Sequence, residues 1–295
     1  MTETAPAHRA TVCISADFDA MSIWMTWGAR GARSLSRGEF GATIAAPRLL
    51  DLFDRYAVPT TWFIPGHTAE SWPAVTAEVA RRGHEVGNHG YLHEAFDRHS
   101  PEEVRAIVRR ASDVLERITG SRPRGMRVPA GDFDGSLLAF LVEEGFLYDS
   151  SLLGGDFHPY WCRGVDGLPD DGPVAFGAPI DLVELPIGFI TNDFNHFEFN
   201  YGNPALVGHD APSVVEEIWC TQFDYMYEHC DDGTLILTLH PQTIGHGLRI
   251  AMLERFIQHC QRRPGTRFVT HETVAEEFRG RSPFHAAATA SSAGR

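Results

Sequence analysis

Short apolar runs of four to six residues recur along the 295-residue chain, and between them apolar positions repeat every three to four residues. The short runs predict β-strands at Thr11–Ser15, Thr60–Ile64, His84–Gly87, Gly125–Val128, Gly145–Asp149, Asp181–Pro186, Thr234–Leu239 and Thr266–Thr270. The longer period predicts helices at Pro47–Tyr56, Ala69–Arg82, Pro101–Thr119, Ser136–Glu144, Ser213–Cys230 and Ile250–Arg262. Punctuation supports them: Ser100 stands as an N-cap before Pro101, with Glu102 and Glu103 behind it, and Gly83, Gly120 and Gly145 follow helical runs. Eight strands alternating with helices imply an α/β fold with a parallel sheet, closed or nearly closed into a distorted TIM-like (β/α) barrel. There is no internal repeat. The expected organisation is a single barrel domain over 11–278, a flexible N-terminal tail over 1–10, and a disordered Ala/Ser-rich tail over 279–295. Three stretches break the rhythm: Met21–Thr43, Ser150–Ala178 and Gly188–Pro212. Each follows a strand, so each is expected as a long loop over the C-terminal mouth.

Composition narrows the functions. A formal charge of −14 argues against nucleic acid and polyanionic substrates. The first ten residues carry no apolar signal region and no run reaches the length of a membrane span, so a cytoplasmic protein without a membrane partner is expected. Five scattered cysteines, none in a C-x-x-C arrangement, read as reduced thiols. All 25 basic residues are arginine. With no lysine, Schiff-base catalysis, a P-loop and a carbamylated-lysine dinuclear site are excluded.

The chemistry gathers at four segments that follow or end a strand: Asp17-Phe18-Asp19, His89-Gly90-Tyr91-Leu92-His93, Arg127-Val128-Pro129 and Leu239-His240-Pro241. A parallel barrel brings all four to one mouth. Residues 17 and 19 leave an extended backbone on the same face, and two adjacent carboxylates need a cation or a division of labour. One would bind metal and the other act as a base. His89 and His93 have ligand spacing, but Gly90 stands where H-E-x-x-H carries its glutamate, so the base must come from elsewhere. His84 reads as a structural histidine within its strand. Two histidines and one aspartate leave positions open for water and substrate, which suits one divalent ion, zinc foremost, with cobalt, nickel, manganese or iron as alternatives. His240 could protonate a leaving nitrogen, and Arg127 could hold Asp17 ionised.

Together these segments resemble the polysaccharide deacetylase (NodB homology) family over roughly residues 10–275. The resemblance implies a distorted (β/α) barrel that hydrolyses acyl C–N or ester bonds with one metal. It implies Asp17 as catalytic base, Asp19, His89 and His93 as metal ligands, His240 as catalytic acid, and the backbone N–H of Ala130 as oxyanion donor. The chain departs from the usual pattern. Phe18 separates aspartates that are normally adjacent, Ala20 replaces a glycine, Ala130 replaces a groove tyrosine, and Tyr148-Asp149-Ser150 lacks a common tryptophan. Ser36-Arg37-Gly38-Glu39-Phe40, Pro65-Gly66-His67 and Gly83-His84-Glu85-Val86-Gly87-Asn88-His89-Gly90 look instead like the branch with allantoinase-like enzymes, a cyclic imide hydrolase and peptidoglycan-deacetylase-like proteins. That branch implies a homo-oligomer, often a tetramer.

The leading expectation is a hydrolase that opens a small-molecule cyclic amide, an imide or ureide. Arg163, Asp193 and Phe194 are the loop residues expected at the substrate. The alternative is an N-acetyl sugar or peptidoglycan deacetylase, and a more remote one is a metal-dependent sugar isomerase or a non-catalytic binding barrel.

Overall fold

The computed structural model describes residues 9–167, 171–199 and 208–285. Its first strand, β1 (Ala10–Asp17), is buried at every position, as a near-continuous apolar run in a parallel sheet covered on both faces should be. Then come β2 (Thr61–Ile64), β3 (Glu85–Asn88), β4 (Gly125–Met126), β5 (Tyr148–Asp149), β6 (Tyr160–Gly167), β7 (Ala175–Glu184), β8 (Gly233–Leu239) and β9 (Thr266–Phe268). The sheet runs β6-β7-β5-β4-β3-β2-β1-β8, with β9 beside the start of β1. All eight predicted strands are present, and every pairing is parallel except β6 with β7.

The sheet curls without closing. β7 already pairs with β5 on one edge and β6 on the other, so neither edge is free for β8. Among the described residues, only an isolated parallel bridge, Asn192 to Thr238, reaches across to β8. The nearly closed barrel is therefore half-open, because an unforeseen antiparallel hairpin occupies the closing edge.

Register places the chemistry at one level. Ala16 lies opposite Leu239, Asp17 opposite Phe63, and Asn88 opposite both Ile64 and Met126. Asp17, His89, Arg127 and His240 thus emerge side by side at the C-terminal end of the sheet, where parallel α/β folds bind ligands. Phe18 points the other way and meets Trp62 edge-on at 5.8 Å in the core.

Helices cover the sheet. They are α1 (Ser22–Thr26), α2 (Ala32–Phe40), α3 (Ala46–Tyr56), α4 (Gly66–Ser71), α5 (Pro73–Arg81), α6 (Pro101–Thr119), α7 (Ser136–Glu143), α8 (Asp193–Phe197), α9 (Pro212–His229), α10 (Pro241–Ile244), α11 (Gly247–Gln261) and α12 (His271–Arg281). A π-helical turn, Gly41–Ala45, joins α2 to α3. The capping box of α6 is formed, with the Glu103 N–H donating to Ser100 Oγ and the Ser100 N–H to Glu103 Oε2. The helix predicted over 69–82 is two helices, because Pro73 cannot continue α4 and starts α5 instead. The three mouth stretches are not plain loops: the first holds α1 and α2, the second β6 and the start of β7, the third α8. α12 ends at Arg281, past the expected boundary at 278, while 1–8 and 286–295 lie outside the described residues. Among the described residues no helix is long and apolar enough to cross a membrane.

Candidate active site

Asp19 is seated by its own backbone. Its carbonyl accepts from the Ser22 N–H at 2.9 Å and from Thr68 Oγ1 at 2.6 Å. Ala20, which stands where the family has glycine, adopts φ +47°, and Gly38 passes so close that a Cβ there would lie 2.5 Å from the Ala20 carbonyl carbon. The histidine loop is equally constrained. Gly90 has φ +67° and His93 itself φ +59°, a left-handed conformation uncommon outside glycine. Asn88 ties this loop down: its Oδ1 accepts from the Gly90 N–H, and its Nδ2 donates to Val108 O and Ser112 Oγ, all at 2.9 Å. The two histidines therefore share a face through a tight loop and not through a helical turn.

His89 Nε2 lies 3.5 Å and His93 Nε2 3.8 Å from Asp19 Oδ1. Candidate ligand atoms of the three residues lie within 4.8 Å of one another. His89 Nδ1 donates to the Arg127 carbonyl at 2.7 Å, which fixes the tautomer and leaves the Nε2 lone pair facing Asp19. Burial lowers the His89 pKa to about 4 and holds His93 well below its ordinary value, so both rings are neutral donors at pH 7. Asp19 Oδ1 is fully buried with no hydrogen-bond partner, and burial pushes this carboxyl up to about 7. An unpartnered buried carboxylate oxygen facing two neutral imidazoles fits one divalent cation, which would satisfy all three. Nothing in the donor set selects zinc over its neighbours.

Asp17 is the opposite case. Burial alone would raise its pKa, but the Arg127 guanidinium, helped by His89 and His240, holds it below the ordinary carboxylate value. Arg127 is itself caged. Nη1 donates to Asp17 Oδ1 and Ser15 Oγ, both at 2.7 Å, Nε to Ser150 O at 3.0 Å, and Nη2 to Ser150 Oγ at 2.8 Å and His271 Nε2 at 3.4 Å. All five guanidinium donors are thus engaged, and the Phe63 ring packs 4.2 Å away. Asp17 Oδ2 is left to face His240 Nε2 at 3.8 Å.

His240 is held by Asp193, which was expected at the substrate. Asp193 Oδ1 accepts from His240 Nδ1 at 2.8 Å and Oδ2 from the His240 N–H at 3.0 Å. Burial lowers a histidine's pKa, yet Asp193, with Asp19 and Asp17 beyond, raises His240 to about 9. Asp193 is wholly buried and does not line the pocket, so its partner is the histidine. Arg163 is displaced as well. It lies on the exposed β6–β7 hairpin, stacked 4.2 Å over Phe176, in a different cavity. Phe194 lines the same pocket as Asp17 and His240, its ring 4.8 Å from that of His240. Asp149, in the segment that lacks the tryptophan, accepts from Ser151 Oγ in a buried cluster with Glu184.

The pocket has a volume of about 340 Å³. Asp17, His89, His93, Arg127 and His240 line it with the Pro129–Gly131 backbone, and Trp27, Phe133, Phe189 and Phe194 form aromatic walls. Each of the three mouth stretches contributes lining residues, among them Trp27, Leu153 and Phe189.

Comparison with known proteins identifies the family. The polysaccharide deacetylase family profile matches residues 39–148. A peptidoglycan deacetylase from Helicobacter pylori is 30% identical, over 94% of this chain and 99% of its own length. The chain belongs to the polysaccharide deacetylase family. A peptidoglycan deacetylase-like protein from Gibberella zeae is also 30% identical, over 92% of this chain and 87% of its own. Among solved structures, a Mycobacterium smegmatis protein assigned to the polysaccharide deacetylases superposes with TM-score 0.81 at 30% identity, covering 94% of this chain and 93% of that one. The PuuE allantoinase superposes with TM-score 0.77 at 22% identity, covering 96% of each, a likeness of fold. An enzyme of the C–N hydrolysing type is thereby supported, and the two relatives of 30% identity are named as a peptidoglycan deacetylase and a peptidoglycan deacetylase-like protein.

Proposed function

We propose that this enzyme removes the acetyl group from the acetamido nitrogen of a peptidoglycan-type amino sugar. The observation that carries the hydrolytic chemistry is the geometry of two oppositely supported neighbours, Arg127 Nη1 lying 2.7 Å from Asp17 Oδ1 and Asp193 Oδ1 2.8 Å from His240 Nδ1. Asp17 is held ionised by Arg127, and His240 is held protonated by Asp193, with 3.8 Å between them. Such a pair assigns base and acid. The whole-length relationship to the Helicobacter pylori peptidoglycan deacetylase supports the acetamido substrate.

A divalent ion bound by Asp19, His89 and His93 would polarise the amide carbonyl and acidify water. The rest is the work of the chain. Asp17 accepts the proton of the attacking water through Oδ2, since Arg127 occupies Oδ1. The Ala130 N–H donates to the carbonyl oxygen as it gains charge. His240 Nε2 then protonates the departing nitrogen, the C–N bond breaks, and acetate and free amine leave.

A second reading keeps the machinery and changes the substrate to a small cyclic imide or ureide. The small aromatic-walled pocket favours it, because about 340 Å³ suits a single ring and lies near the lower limit for ligand sites. Zinc-loaded enzyme should be assayed for acetate release from N-acetylglucosamine oligomers and for ring-opening of succinimide and allantoin, with Asp17→Asn as control. Acetate release dependent on Asp17 supports the deacetylase. Ring-opening without acetate release refutes it in favour of the cyclic amide.

A further inference from the structure

Asp19 presents two oxygens, and only Oδ1 faces the histidines. Oδ2 is engaged elsewhere: Gln242 Nε2 donates to it at 3.2 Å, and His240 Nε2 stands 3.9 Å away. Gln242 belongs to the short helix α10 directly after His240 and is almost wholly buried. With Asp19 ionised, its amide must turn the NH₂ toward the carboxylate, because the oxygen would be repelled.

The surrounding backbone leaves this residue little freedom. The π-helical turn Gly41–Ala45 presses against α10, where a Cβ on Gly41 would lie 3.1 Å from Gln242 Cβ and 3.3 Å from its backbone nitrogen. A Cβ on Gly245, at the end of α10, would overlap Ala45 Cβ and lie 2.5 Å from the Pro241 carbonyl oxygen. Beside it Thr243 Oγ1 donates to the buried Glu198 Oε2 at 3.0 Å. A π-turn widens the helix locally and often marks a functional site. Here it supplies the small residues that let α10 approach.

We infer that Gln242 is a positioning residue for the metal ligand Asp19, holding Oδ2 away so that the carboxylate binds the ion through Oδ1 alone. A carboxylate free to rotate could bind through both oxygens and fill a coordination position. Tied by Gln242 it fills one, and the positions that water and the substrate carbonyl need stay open. The inference rests on the reading of Asp19, His89 and His93 as a metal site.

The test compares full-length wild type with Gln242→Met, which keeps the length and loses the donor, and with Gln242→Glu, which keeps the shape and replaces the donor with an acceptor. Zinc affinity is measured by chelator competition, and the visible spectrum of the cobalt-loaded protein reports coordination number. Gln242→Met should bind zinc 10- to 100-fold more weakly, the range for lost outer-shell partners. Its cobalt bands should weaken as the carboxylate adds a second oxygen. Gln242→Glu should likewise weaken the cobalt bands, since its carboxylate repels Oδ2 toward the ion, and that spectral change decides the matter if the methionine variant does not fold. Unchanged zinc affinity and cobalt spectrum in a folded variant overturn the role of Gln242 alone. Failure of the wild type to bind zinc or cobalt removes the metal site and this inference with it.

Discussion

Replacing Asp19 by asparagine should destroy the metal site and yet make the metal-free protein more stable at pH 8. Asp19 is fully buried, and burial raises its carboxyl from 3.8 to about 7, with no arginine beside it to match the one that serves Asp17. A difference of about 3 in pKa, at about 1.4 kcal/mol each, makes the ionised group on the order of 4 kcal/mol unfavourable in the metal-free fold. The sign follows from linkage. Below pH 3.8 the group is protonated whether folded or unfolded and costs nothing; as pH rises toward 7 the unfolded chain releases the proton first, and stability falls. Asparagine removes the ionisation, and its side-chain oxygen can still accept from Gln242. Urea unfolding of chelator-treated wild type and Asp19→Asn across pH 4 to 8 should therefore show curves that start close together and separate, with the variant ahead by about 2–4 kcal/mol at pH 8. Added zinc should reverse the order by stabilising only the wild type. A variant no more stable than wild type at pH 8, or a gain equal at both ends of the range, would refute the argument that Asp19 is a charge waiting for a cation.

Asp193→Asn removes the carboxylate that raises His240 to about 9, so burial should pull the imidazole back toward 6.5 or lower. The alkaline limb of kcat/KM, which needs protonated His240, should then shift from near pH 9 toward neutrality, and an unmoved limb would count against His240 as the acid. Arg127→Leu strips five donors from a buried cage and leaves Asp17 without its counter-ion; denaturant titration should show a loss of about 3–5 kcal/mol, and a loss below 1 kcal/mol would show the cage to be dispensable. Asp17→Asn should retain zinc while turnover drops by about 10²–10⁴, and a variant that keeps its turnover would exclude Asp17 as base.

The strands that build the mouth were legible because they are buried on both faces and so read as unbroken apolar runs, as in Ala10–Asp17 and Gly233–Leu239. The hairpin at the open edge was not. Tyr160–Gly167 contains Arg163, Gly164 and Gly167, its register against β7 shifts three times, and much of the hairpin is exposed, so no period of two survives. A loop here would carry Arg163 over the mouth, whereas the exposed strand carries it to a different cavity. α12 escaped for a related reason, since its Arg279-Gly280-Arg281 end resembles a polar tail while its first turn, through His271, reaches the Arg127 cage.

The same asymmetry divides the site. The proposed ligands and acid–base pair lie at strand ends, where a short motif and a strand are both visible in sequence. Their supports are not: Ser15, Ser150 and His271 around Arg127, and Gln242 behind Asp19, are brought in from separate parts of the chain by the sheet alone. One support could have been demanded on chemical grounds. A histidine at the end of a strand as apolar as β8 is buried, burial deprotonates it, and a deprotonated histidine cannot give a proton to a leaving nitrogen. If His240 is the acid, a carboxylate has to stand behind it. Asn192 caps α8 by accepting from the Phe194 N–H at 2.9 Å, which fixes the turn that carries Asp193, and Asp193 is the carboxylate that reaches Nδ1. The sequence made Asp193 conspicuous as an acid near the mouth. Its position behind the histidine follows from requiring that the histidine be charged.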